Sequence, residues 1–333
     1  MKRQGFDAKA AGGVDHTGGD PASNGSVAVG PPHGWGQQSA ASYYNQPILN
    51  PPAWKVPDIP GYLFLGGMAG SASLLAAGSE LTSRPSLARW SRLASAGAMG
   101  MSLVALVNDL GRPSRFLNML RTFKPTSPMS VGSWILSAYA PAAMLGAVTD
   151  FVALPPPIRA AATAGTVLLG PPLATYTAAL ISNTAVPSWH AAYRELPFLF
   201  ASSGAAAAGG LGMAAAPLSE NSPARRLGIL GAVGELVCEE LISRRLGFLH
   251  TPYREGRGGA YMKASKVLAV AGSALALVGA GRSRAAGVLS GMCLVSASLA
   301  TRWGVFHAGK QSAEDPRYTV EPQRARLQAQ GRD

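Results

Sequence analysis

Glu235 and Glu239 stand one helical turn apart in Leu227–Ser243, a run that is apolar except for three glutamates. On a helix that spacing puts both carboxyls on one face, with Cys238 and Glu240 beside them. An ionisable group at the centre of a membrane helix costs at least ~2.5–3.5 kcal/mol. Arg244 and Arg245 follow closely, so Glu239 and Glu240 are read as nearer the interface. Glu235 is the deeper of the set and the better candidate for moving protons. Glu80 and Asp150, at other span ends, are candidates to extend a polar path. His190 is a further proton-exchanging group, since imidazole has an unperturbed pKa of about 6.5; its plainer reading is an interfacial hydrogen-bonding residue. Metal chemistry is not indicated. Two cysteines, Cys238 and Cys293, fall short of the thiolates an iron–sulfur cluster takes. Of five histidines, His16 and His33 lie in a polar stretch, leaving too few for a paired-histidine haem site.

The elements that must position these groups are membrane helices. Charged residues make up 14% of the chain, against roughly 25% in soluble globular proteins. A spanning helix needs about 20 mostly apolar residues. Suitable runs are Gly61–Ser79, Leu93–Asn108, Pro125–Thr149, Ala160–Tyr193 (a helix with room for a loop), Leu196–Ser219, Leu227–Ser243, Val267–Gly281 and Ala285–Thr301. The expected fold is therefore an all-α integral membrane protein with eight transmembrane helices and both termini on one side. Apolar segments of this length do not suit barrel strands of about 10 alternating residues. The last two runs are short, so Lys266 and Arg302 are expected to reach toward the headgroups. Gly66 with Gly70, Gly287 with Gly291, and Gly228, Gly231 and Gly234 have the small-residue spacing of close helix contacts.

Residues 1–57 are rich in Gly, Pro, Ser, Asn and Gln. They lack an apolar core after Lys2 and Arg3, so no cleavable signal peptide is read. They are expected to be a disordered extension that gains order near the interfacial aromatics Tyr43, Tyr44 and Trp54. The transmembrane domain is expected over 58–305, and 306–333 as a polar, mobile tail. Lysines and arginines favour the side holding the termini: Lys55, the 112–124 stretch, Arg194, the 244–266 stretch, Arg302, Lys310 and Arg317. The opposite ends carry about half as many, which places the termini in the cytoplasm. The net charge of +12 is thus a topological signal, and nucleic-acid binding is not indicated.

Four stretches on the terminus side carry a family resemblance. The first runs from Trp54 through Lys55-Val56-Pro57-Asp58-Ile59-Pro60-Gly61-Tyr62 to Gly67. The second is Asp109-Leu110-Gly111-Arg112-Pro113-Ser114-Arg115-Phe116, followed by Ser127-Pro128-Met129-Ser130. The third joins Tyr176-Thr177 to Asn183, Pro187, Trp189 and His190, then Glu195-Leu196-Pro197-Phe198-Leu199-Phe200. The fourth is His250-Thr251-Pro252-Tyr253-Arg254-Glu255-Gly256. In this order, from about Trp54 to Thr301, they resemble the membrane-anchor subunits of the polysulphide reductase NrfD/PsrC family.

The resemblance implies a heme-free anchor in the plasma membrane of a prokaryote. Such an anchor binds an iron–sulfur electron-transfer subunit that serves a molybdopterin catalytic subunit, of formate dehydrogenase or polysulphide reductase type. Electrons then pass between that chain and a quinone, menaquinone or ubiquinone. By position in the family, Tyr62 and Tyr176 face the quinone head, although some relatives have histidine at the first place. A phenol suits that role, because it donates a hydrogen bond while its ring packs on apolar surface; its plainer role is an interfacial belt residue. Asp58, Asn183 and His190 are further candidates there. Asp109 with Arg112 is either a helix-terminating turn with a local ion pair, or part of the quinone mouth or docking surface. Arg112, Arg115, Arg121, Lys124, Arg254 and Arg257 are the basic residues expected to meet the electron-transfer subunit. Two other readings stay open. One is a transporter whose glutamates line a substrate path, though the sequence has no convincing internal repeat. The other is an anchor that has lost quinone binding.

Overall fold

The computed structural model describes residues 48–50 and 52–331. The extension read over 1–57 therefore lies mostly outside the described residues, together with Tyr43, Tyr44, His16 and His33. Eight long helices form the frame: α1 (Asp58–Leu81), α2 (Pro85–Leu110), α4 (Pro128–Val148), α5 (Pro156–Ser182), α7 (Leu196–Ala215), α8 (Ser222–Leu246), α10 (Gly256–Val278) and α11 (Arg284–Glu314). Shorter pieces join them: α3 (Pro113–Met119), α6 (Pro187–Ala191), a 3₁₀ turn at Gly247–His250, α9 (Thr251–Arg254) and the terminal α12 (Arg317–Ala329). Seven of the long helices are long and apolar enough to cross a membrane. The other, α8, matches them in length and differs by its glutamates and arginines. The chain is a multi-pass, all-helical membrane protein.

Prolines set many of the helix starts. They occupy the first turn of α2, α3, α4, α5 and α7, where the missing N–H costs nothing and the fixed φ favours the helix. Gly111 ends α2 in the left-handed region (φ 73°), as a glycine can do without steric penalty. Helices α1, α2, α4 and α5 pack as one four-helix group, and α7, α8, α10 and α11 as a second. The groups meet chiefly where α1 and α5 pack on α7. Successive long helices run in opposite directions. The starts of α1, α4, α7 and α10 thus share a face, here the near face, with the ends of α2, α5, α8 and α11.

The close packing falls partly where the small-residue spacing put it. A Cβ on Gly70 would overlap the carbonyl of Gly170 in α5. One on Gly231 would run into the backbone of α7 at Ala206, and one on Gly234 would meet Ser202 at 2.6 Å. Gly66 and Gly287 have looser surroundings, with nearest contacts of 3.6 and 3.7 Å.

Three expectations are corrected. The final hairpin is long: α10 starts at Gly256, not Val267, and α11 continues to Glu314. Small residues explain this, because Gly258 and Gly304 let α10 and α11 approach where charged neighbours suggest a loop. The boundary at 305/306 consequently falls inside a helix. Ala308 and Ala313 are buried, and the polar segment beyond continues as α12, anchored by buried Tyr318 stacked on Phe248. Finally, Arg302 does not reach the headgroups but is fully buried in α11. Lys266 stays half exposed.

Candidate functional site

The side chains of Tyr62 on α1 and Tyr176 on α5 meet at the near end of the first helix group, their hydroxyls hydrogen-bonded to each other. They are 3% and 8% exposed. Their approach depends on α4: a Cβ at Gly132 would overlap the Tyr176 ring. A cavity of about 90 Å³ adjoins the pair, walled by Ile59, Leu63, Leu106, Leu136 and Ile181 and reaching Trp54, Asp109 and Met129 toward the near face. Trp54 stacks on Trp189 at 5.6 Å between ring centroids. Trp189 is buried and donates its indole N–H to the Val305 carbonyl at 2.7 Å. The mouth of the cavity is thus tied to α11 through two aromatic rings.

Asp58 and Asp109 brace this mouth. Asp58 accepts a hydrogen bond from the Asn108 amide at 2.7 Å, and Asp109 accepts from the Lys55 backbone N–H at 2.9 Å. Asp109 therefore holds the entry to α1, a role that takes the place of the expected local ion pair with Arg112. The helix-terminating turn itself is present, with Arg115 donating to the Leu110 carbonyl at 2.8 Å. Arg112, Arg121 and Lys124 are exposed on the near face, as are Arg254 and Arg257 at the second helix group. Asn183 and His190 are not gathered into the cavity. Asn183 ends α5 and is exposed; His190 is exposed, bonds the Ser182 carbonyl through Nδ1 at 3.1 Å and stacks on Tyr193.

The second helix group encloses a polar network. Glu235 is fully buried and accepts from the hydroxyls of Ser265, at 3.0 Å, and Thr301. Next to Thr301 stands Arg302, also fully buried, which donates to the carbonyls of Phe200 (2.7 Å) and Leu63 (3.4 Å). Its guanidinium lies 3.9 Å from the Phe200 ring centroid, a cation–π arrangement. Glu239 is 3% exposed and pairs with Lys266 at 3.4 Å. The second oxygen of Glu235 and one nitrogen of Arg302 have no hydrogen-bond partner among the described residues. Beyond Glu239 and Lys266 a wide cleft opens to the near face beside His250 and Arg254. Burial and the neighbouring cations Arg254 and Lys266 hold His250 below the usual imidazole range.

A third polar group sits at the far ends. Arg92 bridges Glu80 and Asp150, and Arg159 pairs with Glu80 at 2.7 Å. Inward from it, buried Tyr139 exchanges a hydrogen bond with Ser95 and donates to the Ala69 carbonyl, both at 2.7 Å. Sequence reasoning missed Tyr139 and Gly132, the burial of Arg302 and the stacking of Trp54 on Trp189. For Arg302 a signal existed: apolar residues resume immediately after it at Trp303, Val305 and Phe306.

Residues 47–227 match the family model described as polysulphide reductase, NrfD. The match covers the first helix group, α7 and the start of α8, so Glu235, Glu239 and Arg302 lie beyond it. No curated protein matches the chain.

Proposed function

Because the chain belongs to the polysulphide reductase NrfD family, whose members are membrane subunits of reductase complexes, we propose that it is a heme-free, quinone-reactive anchor. In this reading it exchanges electrons between an iron–sulfur electron-transfer subunit and the membrane quinone pool. The catalytic subunit of the complex would carry molybdopterin, as in formate dehydrogenases or polysulphide reductases. The near face, and with it both termini, would be cytoplasmic in a prokaryotic plasma membrane.

The observation that carries the reading is the Tyr62–Tyr176 pair beside an apolar cavity that reaches the near face. The residues fit a quinone, menaquinone or ubiquinone: two phenols point at one spot, and aliphatic walls suit a ring with a lipid tail. The cavity is small, about 90 Å³, and a head group there would be held by the hydroxyls of Tyr62 and Tyr176, which now bond each other. When bound, a quinone supplies a two-electron, two-proton carrier. Trp54 covers the mouth and limits water, while Asp58 and Asp109 hold the ends of α1 and α2 around it. Glu235 and Glu239 are proposed as a proton route, with Lys266 at its outlet. The transporter reading is the weaker one, since family membership favours an anchor and Glu235 is enclosed by side chains that bond it.

Tyr176→Phe tests the site. Losing one neutral hydrogen bond costs ~0.5–1.5 kcal/mol, so quinone-linked turnover should fall several-fold while the catalytic subunit still reduces a soluble dye. Full quinone turnover with unchanged apparent affinity, in both Tyr176→Phe and Tyr62→Phe, would make the pair a packing contact.

A further inference from the structure

We propose that the groove between the near ends of α10 and α11 binds a phospholipid with an anionic headgroup. This site is separate from the tyrosine cavity and independent of the quinone reading. The groove encloses about 950 Å³, at the upper end of the roughly 300–1,000 Å³ typical of ligand pockets. Its walls are two helical stripes. On α10 the stripe is Arg257, Tyr261 and Ala264; on α11 it is Lys310, His307 and Trp303. The helices run in opposite directions, so the stripes pair level by level.

At the near end the level is cationic, Arg257 with Lys310. Glu314 shares that rim, which leaves one net positive charge. One turn deeper, Tyr261 and His307 stack at 5.6 Å with their planes 5° apart. Deeper again, Ala264 faces Trp303, whose ring also lies 3.8 Å from where a Cβ on Gly61 would stand. From Arg257 to Ala264 the descent is about 10 Å at 1.5 Å per residue.

Charge, then amphipathic rings, then hydrocarbon is the polarity order of one lipid leaflet from phosphate through glycerol to acyl chain. Aromatic residues with hydrogen-bonding edges favour the middle level, and basic pockets between membrane helices favour anionic headgroups. A partner helix would need apolar surface along the whole groove, and the charged upper level does not offer it. Charge complementarity therefore selects the lipid.

The test reads tryptophan fluorescence of the full-length protein in phosphatidylcholine bilayers holding a minor fraction of lipid brominated on its acyl chains. Subtracting the signal of Trp303→Phe isolates the groove. Brominated phosphatidylglycerol should quench Trp303 several-fold more than brominated phosphatidylcholine at equal mole fraction. The Arg257→Gln, Lys310→Gln double variant should remove that preference, and Arg257→Lys with Lys310→Arg should keep it. Inorganic phosphate should not relieve the quenching. Equal quenching by both lipids, quenching by neither (a groove covered by protein), relief by phosphate, or a preference that survives the double glutamine variant would each overturn the proposal.

Discussion

A methyl group at position 132 has nowhere to go, because the Tyr176 ring already fills that space. Gly132→Ala must therefore displace the ring and separate Tyr176 from Tyr62. Quinone-linked turnover is expected to fall at least as far as in Tyr176→Phe, although the tyrosine hydroxyl is retained; steady-state assays with a quinone analogue and with a soluble dye check this. Turnover equal to wild type would mean that the tyrosine contact is irrelevant to the reaction. The buried charges make a second residue-scale prediction. Arg302→Met leaves Glu235 without its nearby cation, and an uncompensated charge at membrane depth costs ~2.5–3.5 kcal/mol or more. The single variant should unfold at lower temperature in detergent, and adding Glu235→Gln should recover much of the loss. If the double variant is no more stable than the single one, the two charges are not coupled. The tyrosines were legible because phenols at helix ends are few and lie in recognisable strings. Arg302 was not, because a charge after an apolar run reads as the end of a span. Only the packing of α1 and α7 around it reveals the carbonyls of Leu63 and Phe200 that satisfy it.

Between elements, the seam of α1 and α5 decides whether the tyrosines meet at all. Gly70 and Gly170 bring these backbones into contact about two turns from the Tyr62–Tyr176 pair. Gly70→Val should destabilise the protein by ~1–3 kcal/mol, the usual cost of overpacking, and should lower quinone turnover with it. Gly78, on the same helix, has open space around its Cβ position, so Gly78→Val is the matched control and should change the melting temperature little. Equal effects from the two variants would assign the loss to helix propensity instead of the seam. Seven of the eight long helices are apolar enough to be read from hydropathy, since lipid leaves few other options for long apolar runs; α8 is legible as an apolar run broken by glutamates. Their ends were less legible. The start of α10 is written in glycine, lysine and arginine, a composition shared with loops, and it is helical because it packs on α11. The far cluster shows the same limit: Glu80 and Asp150 were visible as isolated acids at span ends, but Arg92 joins them only once α1, α2 and α4 are side by side.

At the scale of the whole molecule, one charge asymmetry has two competing causes. A basic near face follows if that face stayed in the cytoplasm during insertion; it also follows if it must meet an acidic partner. A periplasm-dependent reporter fused after Asp333 is expected to be silent, which bears on the first cause alone. For the second, the choice of arginines matters. Arg115 bonds the end of α2, so reversing it would disturb the tyrosine cavity as well as the surface. Arg112 and Arg121 are exposed, and Arg112→Glu with Arg121→Glu changes charge with little change in packing. Exposed ion pairs contribute only ~0.2–1 kcal/mol each, but reversal replaces attraction with repulsion at both positions. Co-purification of the proposed electron-transfer subunit should therefore drop clearly at physiological salt, where the Debye length is about 8 Å. Wild-type assembly should weaken as salt rises, and the double variant should be less sensitive to it. Insertion of the variant, measured as its yield in membranes, should be unchanged, because the remaining near-face cations preserve the bias. If assembly and its salt dependence both match wild type, the near-face arginines serve topology only and the docking surface must be sought elsewhere on that face.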